Sequence, residues 1–386
     1  MANLVAPAVR KQGVSVTRKM AASLPSLRAI AQSKGLKVHH LGAGYPHPEV
    51  TDPRGFLKHQ EGYFSFLRER EGLNDPETLP EFLRESYSYT DTLGPLSSRQ
   101  TFAEVYGRDW GIKIDPEKLI PTVGASGGIS LACSLFERSG ESIAYITDAP
   151  TYAGFTARAS LCQHATIYSV EMDSEGAIPD LMRSQIRKAR SDGHFVPFYY
   201  TVPDGHNPAG FSFSQRRREE IIEVLRDEQV LVLEDAPYLY INYAEPENRA
   251  VTFLGIAPEQ TIHLFTGSKI GFPGPRVGYL YSDAVLEIEA GETVDLSTLA
   301  LTESSSICSS KIQLRCVVLK HCCMRKAREE AILFVRVCGN LPKQNLPSIA
   351  TIVLSFCKRW KIDWVAIRSI SIGLPRTGGF SLYSPS

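Results

Sequence analysis

Seven short, apolar, β-rich runs recur between residues 118 and 282, with helical segments between them. They are KLIPTV (118–123), SIAYIT (142–147), ATIYSVEM (165–172), HFVPFYYTV (194–202), QVLVLED (229–235), TIHLFT (261–266) and VGYLYS (277–282). Most are continuously apolar, as expected of strands buried on both faces. Helical patterns separate several of them, at 129–139, 151–161 and 212–228, the last opening on serines suited to cap it. This alternation predicts an α/β fold with a mostly parallel sheet sandwiched by helices. In such sheets ligands bind beyond the carboxyl ends of the strands, so the chemistry is sought in the loops that follow them.

The flanks read differently. Residues 1–50 predict an irregular arm with one helix around Leu24–Ser33 and a Gly/Pro loop, LGAGYPHPE (41–49). Residues 51–84 are charged and helical, with turns near Pro53 and Pro76, and a further helix is expected over Leu96–Trp110. The expected division is an arm at 1–50, a large domain at 51–300 and a small, incomplete domain at 301–386. Residues 305–386 carry 13 Lys/Arg against three acids, so this tail is strongly basic although the whole chain has no net charge. Six of the eight cysteines also lie past residue 300. An aberrant or truncated end to the small domain is the expectation, with a diverged but genuine domain as the alternative.

Zero net charge gives no sign of a nucleic-acid partner. No apolar stretch reaches about 18 residues, so no membrane helix is expected. The start has no secretory core, and the cysteines are expected as free thiols. Residues 1–48 hold seven Lys/Arg and no acid, so a cytoplasmic location has a mitochondrial one as its alternative. His321, Cys322 and Cys323 have no second ligand pair at suitable spacing, so no metal site is expected.

The loops hold a distinctive inventory. GASGG (124–128) follows a strand and offers backbone N–H groups at a helix start, suited to a phosphate. DAPTY (148–152) offers Tyr152 as an aromatic platform. VPDGHNPAG (202–210) positions Asn207, whose amide can donate to a planar ligand. LEDAPY (233–238) ends an apolar strand on Asp235, a carboxylate that needs a cationic or hydrogen-bonding partner there. FTGSKIGFPGPR (265–276) leaves Lys269 among small residues, with Arg276 seven positions on. A desolvated lysine near another cation becomes a nucleophilic amine, and an arginine can hold a phosphate bidentately. Each feature has a bland reading as a turn, a cap or a packed aromatic. Together they suit pyridoxal phosphate, which needs a lysine for its carbonyl and an acid for its pyridinium nitrogen.

Seven motifs in order carry a family resemblance: LGAGYPHPE, YTDTLG, GASGG, DAPTY, YYTVPDGHNPAG, LEDAPY and GSKIGFPGPRVGY. From about Leu24 to Asp283 the chain resembles the class I/II aminotransferases of fold type I. Within them it is most similar to the aromatic and 2-aminoadipate subgroup, the kynurenine aminotransferase II type. The resemblance implies pyridoxal 5′-phosphate, a homodimer, and amino-acid and 2-oxo-acid substrates. It implies that Lys269 forms the internal aldimine and shuttles the Cα proton, and that Asp235 keeps the ring nitrogen protonated. Asn207 and Tyr238 would bond the phenolic oxygen, and Tyr152 would stack on the ring. Ala125, Ser126, Thr266, Ser268 and Arg276 would form the phosphate cup. Tyr89 would reach across a dimer interface, and Gly44 would lie in the loop over the substrate.

Several positions depart from the family pattern. Thr266 stands where serine is favoured, GASGG replaces a common Ser-Gln pair, and Asp204 and His206 are unusual in the asparagine loop. PRTGGF (375–380) resembles a strand of the small domain, but the arginine segment that clamps the substrate carboxylate is missing after it. Transamination is therefore the expected reaction. A lyase or decarboxylase on the same scaffold, or a catalytically impaired cofactor-binding protein, is the alternative.

Overall fold

All seven apolar runs are strands of one sheet. The computed structural model describes residues 16–38, 44, 46, 53–86, 88–89, 92–137, 140–241, 248–270, 273–289 and 292–301. The strands are β1 (Ile120–Val123), β2 (Ile143–Ala149), β3 (Ala165–Asp173), β5 (Phe198–Thr201), β6 (Leu231–Asp235), β7 (Thr261–Thr266) and β8 (Val277–Ser282), joined by the two-residue β4 (Gly176–Ala177). Their order is β1-β8-β7-β6-β5-β2-β3-β4. The central five, β7-β6-β5-β2-β3, are mutually parallel, and β8 runs antiparallel between β7 and β1.

The helices are α1 (Val16–Ser33), α2 (Pro53–Arg70), α3 (Glu81–Ser86), α4 (Leu96–Trp110), α5 (Gly124–Phe136), α6 (Ala153–Ala159), α7 (Pro179–Ser191), α8 (Gln215–Asp227) and α9 (Phe253–Ile256). Successive strand residues face opposite sides, which builds two cores. Ile143, Tyr145, Phe198, Tyr200, Leu233 and Leu264 pack with α5 and α6. Ala144, Ile146, Tyr199 and Val232 pack with α7, α8 and α9 on the other face. Ser214 caps α8 by accepting from the Arg217 N–H.

Three local differences from the sequence expectation have clear causes. The helix expected over 129–139 already begins at Gly124, because Gly124 adopts φ +65° and turns the chain directly out of β1. The strand expected over 194–202 is confined to Phe198–Thr201, since Pro197 has no N–H to give the ladder. A charged hairpin, β9 (Val285–Glu289) with β10 (Glu292–Asp295), lacks the apolar run on which the expectation rested.

Strand order places a switch point between β2 and β5. From β2 the chain moves to β3 on one side. From β5 it moves through β6 to β7 on the other. The loops after β2 and β5 therefore part, and a crevice opens at their carboxyl ends. PRTGGF (375–380), the basic Cys-rich tail and His321-Cys322-Cys323 lie outside the described residues, as does the expected small domain apart from Leu301.

Candidate active site

A pocket with a cavity volume of about 130 Å³ occupies this crevice. Every strand that ends nearby contributes to it. Ala125 and Ser126 come from the first turn of α5, Tyr152 from the loop after β2, and Val202 and Asn207 from the loop after β5. Asp235 ends β6 and Pro237 and Tyr238 follow it, Thr266 ends β7 and Ser268 and Lys269 follow it, and Arg276 precedes β8.

Asp235 is buried at the end of β6. Its Oδ2 accepts from the Tyr200 hydroxyl at 2.9 Å, whereas Oδ1 has no partner among the described residues. Burial pushes the carboxyl up to about 6, opposed by the Tyr200 hydrogen bond and by the Lys269 and His263 charges. An acceptor orphaned in this way calls for a cationic N–H from a ligand.

Lys269 is partly buried and donates to the Gly44 carbonyl at 2.9 Å. Burial lowers its pKa and the Arg276 charge adds to this, while Asp235 opposes it. The amine lies 5.9 Å from the centroid of the Tyr238 ring, and Asn207 Nδ2 reaches the Tyr238 hydroxyl at 3.4 Å. The Tyr152 ring lies across Gly154, where a Cβ would sit 2.3 Å from the ring, so only glycine leaves room for that pose.

At the other end sits a cluster of donors. Arg276 Nη1 donates to Ser268 Oγ at 3.0 Å, and Ser268 Oγ lies 2.9 Å from Thr266 Oγ1. The hydroxyl that Thr266 retains in place of serine is thus in use. Arg276 itself has φ +57°, an unfavourable conformation for a residue with a Cβ, costing about 1–3 kcal/mol. Its carbonyl accepts from the Gly124 N–H at 3.1 Å, and a Cβ on Gly124 would lie 2.6 Å from Arg276 Nη2. The guanidinium and the first turn of α5 are therefore pressed together, giving a cation beside a helix N-terminus, which suits a phosphate.

The structure gathers every predicted cofactor-contacting residue except Tyr89 around this pocket. Tyr89 is 89% exposed and borders a separate surface depression with Glu85 and Gly94. Sequence reasoning missed Tyr200 and Gly154. Tyr200 sat inside an apolar run, and its role follows only from the β5–β6 neighbour relation. The two unusual loop residues are both buried. Asp204 forms an ion pair with Arg218 at 2.9 Å, and His206 Nε2 contacts Asp148 Oδ2 at 3.0 Å.

The sequence pattern of the family described as Aminotransferase class I and II matches residues 83–315. Among curated proteins, Aromatic-amino-acid aminotransferase 1 of Thermococcus litoralis is 27% identical over 226 residues, 58% of this chain and 53% of that protein. The bovine protein named Kynurenine/alpha-aminoadipate aminotransferase, mitochondrial, is 30% identical over 169 residues, 42% of this chain and 39% of its own. The chain spans about half the length, or less, of these relatives. A crystal structure of an archaeal alanine:glyoxylate aminotransferase shares the fold with TM-score 0.61 at 22% identity, covering 85% of this chain and 74% of that one. The Pyrococcus horikoshii kynurenine aminotransferase, solved with PMP, gives TM-score 0.60 at 18% identity over 89% and 78%.

Proposed function

We propose, on the premise that this chain belongs to the class I and II aminotransferase family, that it transfers an amino group between an amino acid and a 2-oxo acid with pyridoxal 5′-phosphate as cofactor. The observation that carries the reading is the orphaned, buried Asp235 Oδ1 in the same pocket as the Lys269 amine and the Arg276–Ser268–Thr266 cluster. A carboxylate for a pyridinium N–H, an amine for a carbonyl and a cup for a phosphate fit one molecule, so the donor set passes the test of chemistry. When bound, that cofactor supplies an electron-withdrawing ring that stabilises negative charge at the substrate Cα.

The chain's own residues then have distinct tasks. Asp235 accepts from the ring nitrogen and holds the proton there. Tyr200 orients that carboxylate. Asn207 and Tyr238 donate to the phenolic oxygen, and Tyr152 covers a ring face. Arg276, Ser268, Thr266 and the first turn of α5 fix the phosphate. Lys269 Nζ, lowered in pKa, would take the proton from the substrate Cα, hold it, and deliver it to the cofactor carbon that bore the carbonyl. Gly44, whose carbonyl accepts from Lys269, would face the substrate.

The amino donor is of the aromatic or 2-aminoadipate class, a choice supported by the names of the relatives. Assembly is as a homodimer, to which Tyr89 contributes. Exposed Leu27, Ile30 and Phe66 on α1 and α2 support a second copy. The location is cytoplasmic, with the mitochondrion as the alternative that the bovine relative's name supports. Among the described residues no helix is long and apolar enough to cross a membrane.

The test is an assay of the purified chain with phenylalanine, tyrosine, kynurenine or 2-aminoadipate and 2-oxoglutarate. Glutamate should appear in step with the new 2-oxo acid. Release of carbon dioxide or an eliminated fragment without glutamate would replace this reading with a decarboxylase or lyase.

A further inference from the structure

The seam between β2 and β5 is the weakest join in the parallel part of the sheet. Beyond an isolated bridge at Ile143 and Phe195, β2 and β5 pair only at Ile146–Tyr199 and Thr147–Tyr200. By contrast, β2 and β3 pair over seven positions. Yet the loops leaving this seam carry Tyr152 and Asn207, which must face one planar ring together.

One side-chain contact extends the seam past its last ladder pair. Asp148 is the penultimate residue of β2, four residues before Tyr152, and His206 immediately precedes Asn207. Both side chains are fully buried. His206 Nδ1 accepts from the Ala209 N–H at 3.2 Å, so the ring proton resides on Nε2, which donates to Asp148 Oδ2 at 3.0 Å. The other Asp148 oxygen accepts from the Tyr199 hydroxyl. The imidazole, Phe211 and Phe213 form a triangle of near-parallel rings, with the imidazole 6.1 Å from Phe211 and 6.0 Å from Phe213 at interplanar angles of 17° and 8°. His206 also closes its own loop, donating to the Phe211 carbonyl at 2.7 Å and accepting from the Gly210 N–H at 2.6 Å.

We propose that Asp148 and His206 form a buried latch across the β2–β5 switch point, holding the Tyr152 and Asn207 loops as one unit. The two are positioning residues and touch no cofactor atom; the proposal rests on the cofactor reading above. Asp148 lies on the sheet face opposite Asp235, so the latch acts from behind the pocket. Its loss should loosen Asn207 and Tyr152 together while leaving Asp235, Lys269 and the phosphate cluster in place.

The test uses the full chain with His206→Leu, His206→Gln, Asn207→Ala and the double variant His206→Leu/Asn207→Ala. Each is titrated with pyridoxal phosphate by visible absorption, and the pH midpoint of the bound cofactor's absorption change is recorded. Donation from Asn207 to the phenolic oxygen sets that midpoint, and a purely structural loss would not move it. His206→Leu should weaken binding about tenfold, as expected for losing about 1.4 kcal/mol of pre-organisation, and should move the midpoint in the same direction as Asn207→Ala. The double variant should have the midpoint of Asn207→Ala alone, since both act through one group. His206→Gln, whose amide nitrogen reaches as far as Nε2, should recover most of the binding and the midpoint, which guards against a folding defect in His206→Leu. An unsubstituted chain that takes up no pyridoxal phosphate overturns the latch and the cofactor reading together. Normal uptake with an unchanged midpoint in His206→Leu, or midpoint shifts that add in full in the double variant, overturns the latch alone.

Discussion

Asp235→Asn should stabilise the cofactor-free protein while weakening its hold on the cofactor. Asp235 is 3% exposed, and burial raises its carboxyl from 3.8 to about 6. A raised acid favours the folded state only while protonated. Its contribution is therefore intact below about pH 4 and is lost as pH rises through about 6. The shift of about two units corresponds to roughly 3 kcal/mol of destabilisation at pH 8. Asparagine keeps an oxygen for the Tyr200 hydroxyl and carries no charge to desolvate. Thermal melts of the cofactor-free chain and of Asp235→Asn, taken from pH 4 to pH 8, should diverge as pH rises, the variant melting several degrees higher at pH 8. Saturating pyridoxal phosphate should then stabilise the original chain by RT ln(1 + [L]/Kd) and the variant much less. A variant that melts at or below the original at pH 8 without cofactor would show that Asp235 is not held under electrostatic stress, and the reasoning about its orphaned oxygen would fail.

Other outcomes follow from neighbouring contacts. Tyr200→Phe removes the one hydrogen-bond donor to Asp235 among the described residues and should push its pKa further up. Absorption titration at pH 8 should show pyridoxal phosphate binding weakened about tenfold or more, given about 1.5–3 kcal/mol for a hydrogen bond to a charged group; unchanged affinity would remove Tyr200 from the site. Arg218→Met strands the buried Asp204, whose pKa burial already raises, and should cost about 3–5 kcal/mol of stability in thermal or denaturant unfolding. Adding Asp204→Asn should restore much of that loss, and no recovery in the double variant would refute the ion-pair account.

The sheet was legible because its strands are buried on both faces, which leaves continuous apolar runs such as QVLVLED and TIHLFT. The hairpin 285–295 was not, since exposed strands alternate Glu and Asp with Val and Ile and carry no such run. Candidate site residues that end a strand or lie two positions from a glycine, namely Asp235, Asn207 and Lys269, stood out from their loops. Tyr200 and Asp148 did not, because each is buried within a strand and gains its role from a neighbour distant in sequence. Arg276 was legible as a candidate anchor, but its left-handed backbone and its closeness to Gly124 depend on β8 meeting β1, a pairing of strands more than 150 residues apart. Local pattern identifies which groups are available, and topology decides which of them meet.

The central claim is that Lys269 carries the cofactor in a pocket that also holds Asp235 and Arg276. Its most direct test is to incubate the purified chain with pyridoxal phosphate, reduce it with borohydride, digest it and locate the label by mass spectrometry. The account predicts a single labelled peptide bearing Lys269, with no labelling in Lys269→Ala. A chain that takes up no cofactor, or a label on other lysines that persists in Lys269→Ala, would contradict it.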